Sequence, residues 1–277
     1  MAKNPLGEYF RKPAVYVDLP SKGNYYENKP TLSADGELAV YGMTAKDELH
    51  LKNPDALLNG QGVITVLQSV VPDILNQREI PIPDFNSILI AMRIASFGKD
   101  MDYEITCSSC SQLDTVTFDL YEVLATTQFL DPEYIVKLDS GVEVYVGPTT
   151  VETQNKVSMG QLEQGRLIDL INTDLDSDEK LKKFSKIFEK ITGITFDIVQ
   201  DGIRYVKIPD EEGTIVKNEA HIIEWLKNIT RDEYEKIQNL VTEINLIGTK
   251  GTYDHACTSC KHINSGTLEF DPTNFFV

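Results

Sequence analysis

Two Cys-x-x-Cys pairs constrain the fold of this chain more than any other feature of its sequence. Cys107 and Cys110 form the first pair, Cys257 and Cys260 form the second, and the 277-residue chain contains no other cysteine. Each pair lies between β-like segments, which is typical of a zinc knuckle. One pair supplies only two of the four ligands that a structural zinc ion needs, so the sequence predicts that both pairs bind one zinc ion. The middle of the chain must then lie beside its C-terminal end.

Other interpretations of the four cysteines are open at this point. A redox-active dithiol usually begins a helix, whereas both pairs here precede polar turns and returning strands. Four unconnected thiols would require two identical spacings to arise by coincidence, and His255 or His262 could replace one sulfur as a ligand. A site of four thiolates leaves no open position for water, so we expect the zinc to be structural and not hydrolytic.

The charge balance limits the partners that the chain can bind. Lys and Arg number 26 against 43 Asp and Glu, which gives a net charge of -17. Proteins that bind nucleic acid need a positive surface, so we expect no nucleic-acid partner. The lysines in 180–190 alternate with apolar residues at helical spacing, which indicates the solvated face of an amphipathic helix.

The hydropathy of the chain gives no sign of a membrane or secreted protein. No apolar run reaches the roughly 20 residues that cross a bilayer, so we expect no transmembrane segment. The first residues also lack the apolar core of a secretory signal. We therefore expect a protein of the cytosol, where thiols stay reduced and paired cysteines are metal ligands more often than disulfides.

Residue periodicity predicts an α+β fold, with mixed strands and helices and a zinc ribbon built from two distant pieces. Strands are predicted within 13–42, at 103–106, at 115–118, within 134–146 and at 203–208. Helices are predicted from Asn53 to Val71, over 83–97, within 150–200 and over 230–247. We expect three regions: a mixed α/β region over 1–149 with the first knuckle, a mainly helical region over 150–249, and the second knuckle over 250–277.

Three sequence signals predict capped helix starts. Thr149 with Glu152 and Thr230 with Glu233 match the capping box, in which each side chain accepts from the other residue's backbone N–H. Asp176 with Glu179 is a similar signal.

No catalytic motif of comparable clarity is present. The sequence has no GxSxG nucleophile elbow, no HExxH zinc motif, no Walker-type phosphate loop and no GxGxxG dinucleotide motif. His50 and His221 have no neighbouring nucleophile or ligand pattern, so we interpret both as surface or packing residues. We therefore predict no enzymatic activity and no small-molecule substrate.

Several short motifs are spread along most of the chain. Near the start they are Leu19-Pro20-Ser21-Lys22-Gly23 followed by Tyr25, and Met43-Thr44 followed by Asp47-Glu48-Leu49. Further along they are Asn53-Pro54 with Gly60, Arg93-Ile94-Ala95-Ser96-Phe97-Gly98, and Asp271-Pro272-Thr273-Asn274-Phe275-Phe276. Together with the cysteine pairs, these motifs resemble those of the baseplate hub assembly proteins of T-even-type contractile-tailed bacteriophages. The resemblance covers most of the chain from about residue 15 and is weakest between 150 and 248.

This resemblance implies a component or chaperone of baseplate hub assembly that does no chemistry. Its partners would be other phage tail or hub proteins, and its location the host cytoplasm during assembly or the tail baseplate of the virion. Phe275 and Phe276 are our candidate partner-binding residues, and the turn at Leu19–Gly23 is a further candidate surface. A terminal strand packed on its own core and an ordinary turn are the competing interpretations of these two segments.

Two other functions are open from the sequence. The main alternative is a zinc-ribbon adaptor in host or viral gene expression, which would need a basic stripe near the ribbon. Only Lys261 and His262 are present there. A dithiol-exchange enzyme is a more distant alternative, and protection of the thiols by a metal would argue against it.

Overall fold

The structure of the chain, a computed structural model, describes residues 5–52, 60–160, 185 and 193–268. Helices and strands are mixed along the chain, which confirms the α+β class. The helices are α1 (Ala45–Leu51), α2 (Gln61–Val70), α3 (Ile82–Phe97), α4 (Leu120–Ala125), α5 (151–160), α6 (193–202), α7 (Glu219–Leu226) and α8 (Arg231–Asn245). The strands are β1 (Pro13–Val17), β2 (Leu38–Tyr41), β3 (Asp100–Thr106), β4 (Leu113–Asp119), β5 (Tyr134–Lys137), β6 (Glu143–Val146), β7 (Ile203–Lys207), β8 (Ile215–Val216), β9 (Thr252–Ala256) and β10 (Ile263–Thr267).

One apolar core surrounds helix α3. The antiparallel pair β1 and β2 packs on this helix and alternates as predicted, so that Val15 and Val17 point into the core. Helix α3 ends where predicted, because Gly98 adopts a positive φ of 92° and its N–H bonds the carbonyl of Ile94. Leu268, from the C-terminal part of the chain, is also buried in this core.

The turn at Leu19–Gly23 packs against this core: four of its five residues are buried, and Lys22 is exposed. Leu19 is 1% exposed, and Ser21 donates both its N–H and its hydroxyl to the buried carboxylate of Asp84 on α3. The turn as a candidate binding surface is therefore wrong, because its apolar residue already packs inside the protein. Its ordinary structural interpretation explains the motif.

A second apolar core lies between helix α8 and a four-stranded antiparallel sheet with the order β5-β6-β7-β8. The predicted stripe on α8 is confirmed, because Ile237, Val241 and Ile244 are all 0% exposed. Val144 on β6 is buried in this core. The next residue, Tyr145, lies on the opposite face of the sheet, where its ring stacks on that of Tyr205 of β7. Strand β7 therefore extends the sheet that begins with the β5–β6 hairpin.

Two of the predicted caps are resolved by the structure, with opposite outcomes. Thr230 and Glu233 form the capping box at the start of α8, as predicted. The capping box of Thr149 with Glu152 is wrong, because α5 begins one residue later than predicted. The Thr153 N–H donates to the hydroxyl of Thr150 at 3.5 Å, while Thr149 donates its N–H and its hydroxyl to the side-chain oxygen of Asn245. The cap at Asp176, the lysine-rich helix within 180–191 and the helix start at Asn53 lie outside the described residues, and the division into three regions stays a prediction.

The segment that follows α8 brings the C-terminal hairpin beside the middle of the chain. The Thr249 hydroxyl lies 2.7 Å from the hydroxyl of Ser87 on α3 and 2.7 Å from that of Thr127 after α4. The Gln128 N–H donates to the carbonyl of Gly248. These bonds position β9 and β10 next to β3 and β4.

Candidate metal centre

Each cysteine pair lies in the tight turn of a two-stranded hairpin. In the first hairpin, β3 and β4, the Cys107 N–H donates to the Gln112 carbonyl at 2.8 Å, and the Ser111 N–H returns to the Cys107 carbonyl at 2.9 Å. Ser111 has a positive φ of 59°, which is uncommon for a residue with a side chain. The turn therefore holds a strained backbone to bring both cysteines to one side.

The second hairpin, β9 and β10, repeats this turn bond for bond. The Cys257 N–H donates to the His262 carbonyl at 2.8 Å, and the Lys261 N–H returns to the Cys257 carbonyl at 3.0 Å. Lys261 has a φ of 63°, at the position equivalent to Ser111. The two hairpins are copies of one local structure, as their shared Cys-x-x-Cys spacing predicts.

The structure brings all four cysteine sulfurs together. The Sγ atoms of Cys107 and Cys260 are 3.7 Å apart, and those of Cys110 and Cys257 are also 3.7 Å apart. All four sulfurs lie within 4.8 Å of one another. A zinc–sulfur distance of about 2.3 Å places the sulfurs of a tetrahedral site about 3.8 Å apart, whereas a disulfide bond is about 2.05 Å long. The cluster therefore has the dimensions of a metal site and not of two disulfides.

The two cysteines of the first pair have different electrostatic environments. The backbone N–H of Cys110, helped by that of Ser109 and by the Asn264 side chain, lowers the pKa of the Cys107 thiol to about 6. The N–H of Gln112 lowers the pKa of Cys110, but hydrogen bonds with the neighbouring sulfurs and burial raise it to about 12 overall. The crowded thiols thus differ in how readily they lose their protons. A bound cation would displace the remaining protons, because cysteine ligates a metal as the thiolate.

The hairpins contact each other through two reciprocal hydrogen-bonded pairs. Asp114 of β4 accepts from the Thr258 N–H at 2.9 Å and from the Thr258 hydroxyl at 2.5 Å. Asn264 of β10 accepts from the Ser108 N–H at 3.0 Å and from the Ser108 hydroxyl at 3.1 Å. The bonds from Thr258 hold the pKa of Asp114 well below its usual range, with a smaller contribution from His255. Each hairpin therefore supplies an acceptor to the turn of the other.

An aromatic cluster joins the hairpins on the side away from the turns. The ring of Tyr253 lies 6.2 Å from that of Tyr103 and 5.7 Å from that of Phe118, measured between centroids. Gly266 opposite Tyr253 leaves room for this ring, because a Cβ there would lie 2.6 Å from the tyrosine oxygen. The hairpins are thus held at both ends.

The sequence alternatives for the ligands can now be compared with the geometry. Among the described residues, the cluster with metal-ligand geometry consists of the four cysteines alone. His255 does not replace a sulfur, because its Nε2 lies 3.0 Å from the Asp114 carboxylate. Phe275 and Phe276, our candidate partner-binding residues, lie outside the described residues.

Sequence reasoning missed Asp114 and Asn264. A signal was available, since each follows its cysteine pair at the same distance and carries a side-chain oxygen acceptor. Their role depends on contacts between hairpins, and spacing within one hairpin does not reveal these.

The fold and the site define an α+β protein in which two distant Cys-x-x-Cys hairpins form one four-cysteine cluster. A family model described as "T4 bacteriophage base plate protein" matches residues 14–277, nearly the whole chain. The chain therefore belongs to this family of phage baseplate proteins. No curated protein and no solved structure matches it. Within the part of the chain that the structure describes, no helix is long and apolar enough to span a membrane.

Proposed function

We propose that this chain is a non-enzymatic component or chaperone of the phage tail baseplate hub, and that its cysteine cluster holds one structural zinc ion. The family match over residues 14–277 is the observation that carries the proposal. It supports a structural role in the baseplate and other tail proteins as partners. The motif resemblance supports two further parts of the proposal: that the chain acts in the hub, and that it acts in the host cytoplasm during assembly.

Zinc is the metal that fits the donor set best. Cys107, Cys110, Cys257 and Cys260 offer four soft sulfur ligands. Two of the sulfur–sulfur separations are 3.7 Å, the edge length of a tetrahedron around this ion, and all lie within 4.8 Å. Zinc bound there would be a closed structural site, because the four sulfurs leave no position for a water or substrate. Its role would be to join the two hairpins.

Metal analysis of the purified protein tests the zinc site. We expect about one equivalent of zinc per chain, with four thiols that react with a thiol reagent only after the metal is removed. A folded protein that has no metal and four freely reactive thiols would contradict the site.

Binding of tail proteins needs exposed apolar side chains on this acidic surface. Two such side chains lie near the start of the described residues, in and directly after the segment Pro5–Tyr9. Tyr9 is 85% exposed and Phe10 is 63% exposed. Both line a groove of about 630 Å³ with Arg11 and Tyr41. We propose this segment, together with Phe275 and Phe276, as partner-binding positions.

Disruption of the gene in an infecting phage tests the hub role. We expect central hubs to be absent while outer baseplate parts and heads accumulate, as seen by electron microscopy of the lysate. Complementation with the intact gene is the control. Normal tails without this protein would contradict the proposed role.

A further inference from the structure

The cross-contacts between the hairpins complete turns that neither hairpin completes alone. The N–H groups of Ser108 and Thr258 each follow the first cysteine of their own turn, and each donates to a side chain of the opposite hairpin. These bonds are partly buried, and separating the hairpins would replace all of them with hydrogen bonds to water. Asp114 and Asn264 are 7% and 9% exposed, so their oxygens are committed to the contact.

The two acceptors are equivalent positions of a duplicated unit. In the first hairpin Asp114 pairs with Ile105 across the ladder, and in the second Asn264 pairs with His255 at the same place. Each acceptor therefore projects from the same point of its own hairpin toward the turn of the other. The arrangement has approximate two-fold symmetry, with the four sulfurs at its centre.

We propose that Asp114 and Asn264 are positioning residues that clasp the two knuckles together before a metal binds, so that the ion meets four sulfurs already in place. This inference rests on the proposed zinc site. The clasp consists of the four hydrogen bonds that Ser108 and Thr258 donate to Asn264 and Asp114, and none of these four involves a sulfur atom. The side chains of Asn264 and Asp114 also hydrogen-bond the sulfurs of Cys107 and Cys257. The clasp can form in the metal-free protein, and it reduces the ordering that metal binding must achieve.

The two halves of the clasp differ in charge. Asp114 is ionised, accepts with both oxygens, and is also in contact with His255. Asn264 is neutral, uses one oxygen for both bonds, and donates its own amide to the His262 carbonyl. Charge-assisted hydrogen bonds are stronger than neutral ones, so the Asp114 half should contribute more.

Amide hydrogen exchange of the metal-free, reduced protein tests the clasp. We expect the N–H groups of Ser108 and Thr258 to be protected in the parent protein without metal. Asp114→Ala should abolish protection at Thr258, on the other hairpin, and Asn264→Ala should abolish it at Ser108. Asp114→Ala should also weaken zinc binding by roughly 10- to 100-fold in a chelator competition, as loss of outer-shell partners typically does.

Two matched variants separate this role from a general loss of structure. Asp114→Asn should retain most of the protection and of the zinc affinity, because Asn264 already does the same work with an amide. Glu104→Ala, at an exposed acidic residue of β3, should change neither. Because the clasp lies outside both apolar cores, melting of the rest of the metal-free protein should be the same in all variants.

The outcomes distinguish the clasp from the metal site. Unprotected Ser108 and Thr258 in the metal-free parent, or an Asp114→Ala protein that binds zinc as tightly as the parent, would overturn the clasp and leave the zinc site standing. A parent protein that retains the protection but binds no zinc would overturn the zinc site, and with it the role of the clasp in metal binding.

Discussion

Asp84 is the most unusual ionisable residue of the first core. Its carboxylate is 0% exposed and accepts from the N–H and the hydroxyl of Ser21 and from the hydroxyl of Tyr26. Burial raises the pKa of Asp84 to about 6, although the hydrogen bonds from Ser21 and Tyr26 lower it in part. Through these bonds Asp84 holds the turn at 19–24 against α3. Its ionisation lowers the stability of the folded protein, because burial disfavours the charged form.

The raised pKa predicts a pH-dependent contribution to stability. Between about pH 4, where an unfolded Asp ionises, and about pH 6, the folded protein holds a proton that the unfolded chain has released. The free energy of unfolding should therefore fall by roughly 3 kcal/mol across this window because of Asp84 alone. Asp84→Asn cannot ionise, so the stability of this variant relative to the parent should rise by that amount from pH 4 to 6 in urea unfolding.

Tyr26→Phe provides the matched control for this pH effect. It removes one donor to the carboxylate and keeps the ring in the core, so the pKa of Asp84 should rise further and the fall in stability should extend to higher pH. A difference between parent and Asp84→Asn that does not change with pH would show that Asp84 does not titrate in this window.

Among the elements, α8 shows how sequence signals and packing agree. Thr230 and Glu233 satisfy the first backbone N–H groups of the helix, and its apolar stripe fills the second core. Both features are local, so the sequence predicts them. Thr149 and Glu152 match the same motif, but α5 begins one residue later, with Thr150 accepting from the Thr153 N–H. Thr149 instead donates to Asn245 at the end of α8, a distant contact that the local motif does not reveal.

Thr230→Ala tests the cap of α8. Loss of the hydrogen bond that the Glu233 N–H donates to the Thr230 hydroxyl should lower the free energy of unfolding by about 1 kcal/mol, measured by urea titration. Thr242→Ala, at an exposed position within the same helix, is the control and should change it by less than about 0.5 kcal/mol. An equal loss of stability at both positions would show that the cap is not its cause, because the higher helix propensity of alanine opposes such a loss at Thr242.

Pairing of distant elements marks the limit of prediction from this sequence. The alternation of 203–208 indicates a strand, but its partner β6 is known only from the structure. The four cysteines were predicted to meet because zinc chemistry requires four ligands. The clasp of Asp114 and Asn264 was not predicted. The equal spacing of the two residues after their cysteine pairs is visible in the sequence, but the contacts between hairpins that give them this role are not.

At the scale of the whole molecule, the chain joins its middle to its C-terminal part through several independent contacts. The Thr249 hydroxyl binds Ser87 and Thr127, Leu268 packs in the first core, and Tyr253 contacts the rings of the first hairpin. The proposed zinc would add the strongest of these connections. Structural zinc in small peptides contributes roughly 10 to 16 kcal/mol of apparent binding free energy near neutral pH.

Cys260→Ser tests whether the metal connects these two parts. The serine cannot replace a thiolate ligand, so the variant should lose zinc and its free energy of unfolding should fall by more than the roughly 0.5 to 3 kcal/mol of a typical point change. Calorimetry with metal analysis of the same samples measures both effects. Ser259→Ala, at an exposed position of the same turn, is the control and should keep its zinc and its melting temperature. If Cys260→Ser loses zinc but melts like the parent, the hydroxyl, aromatic and apolar contacts hold the C-terminal hairpin without the metal.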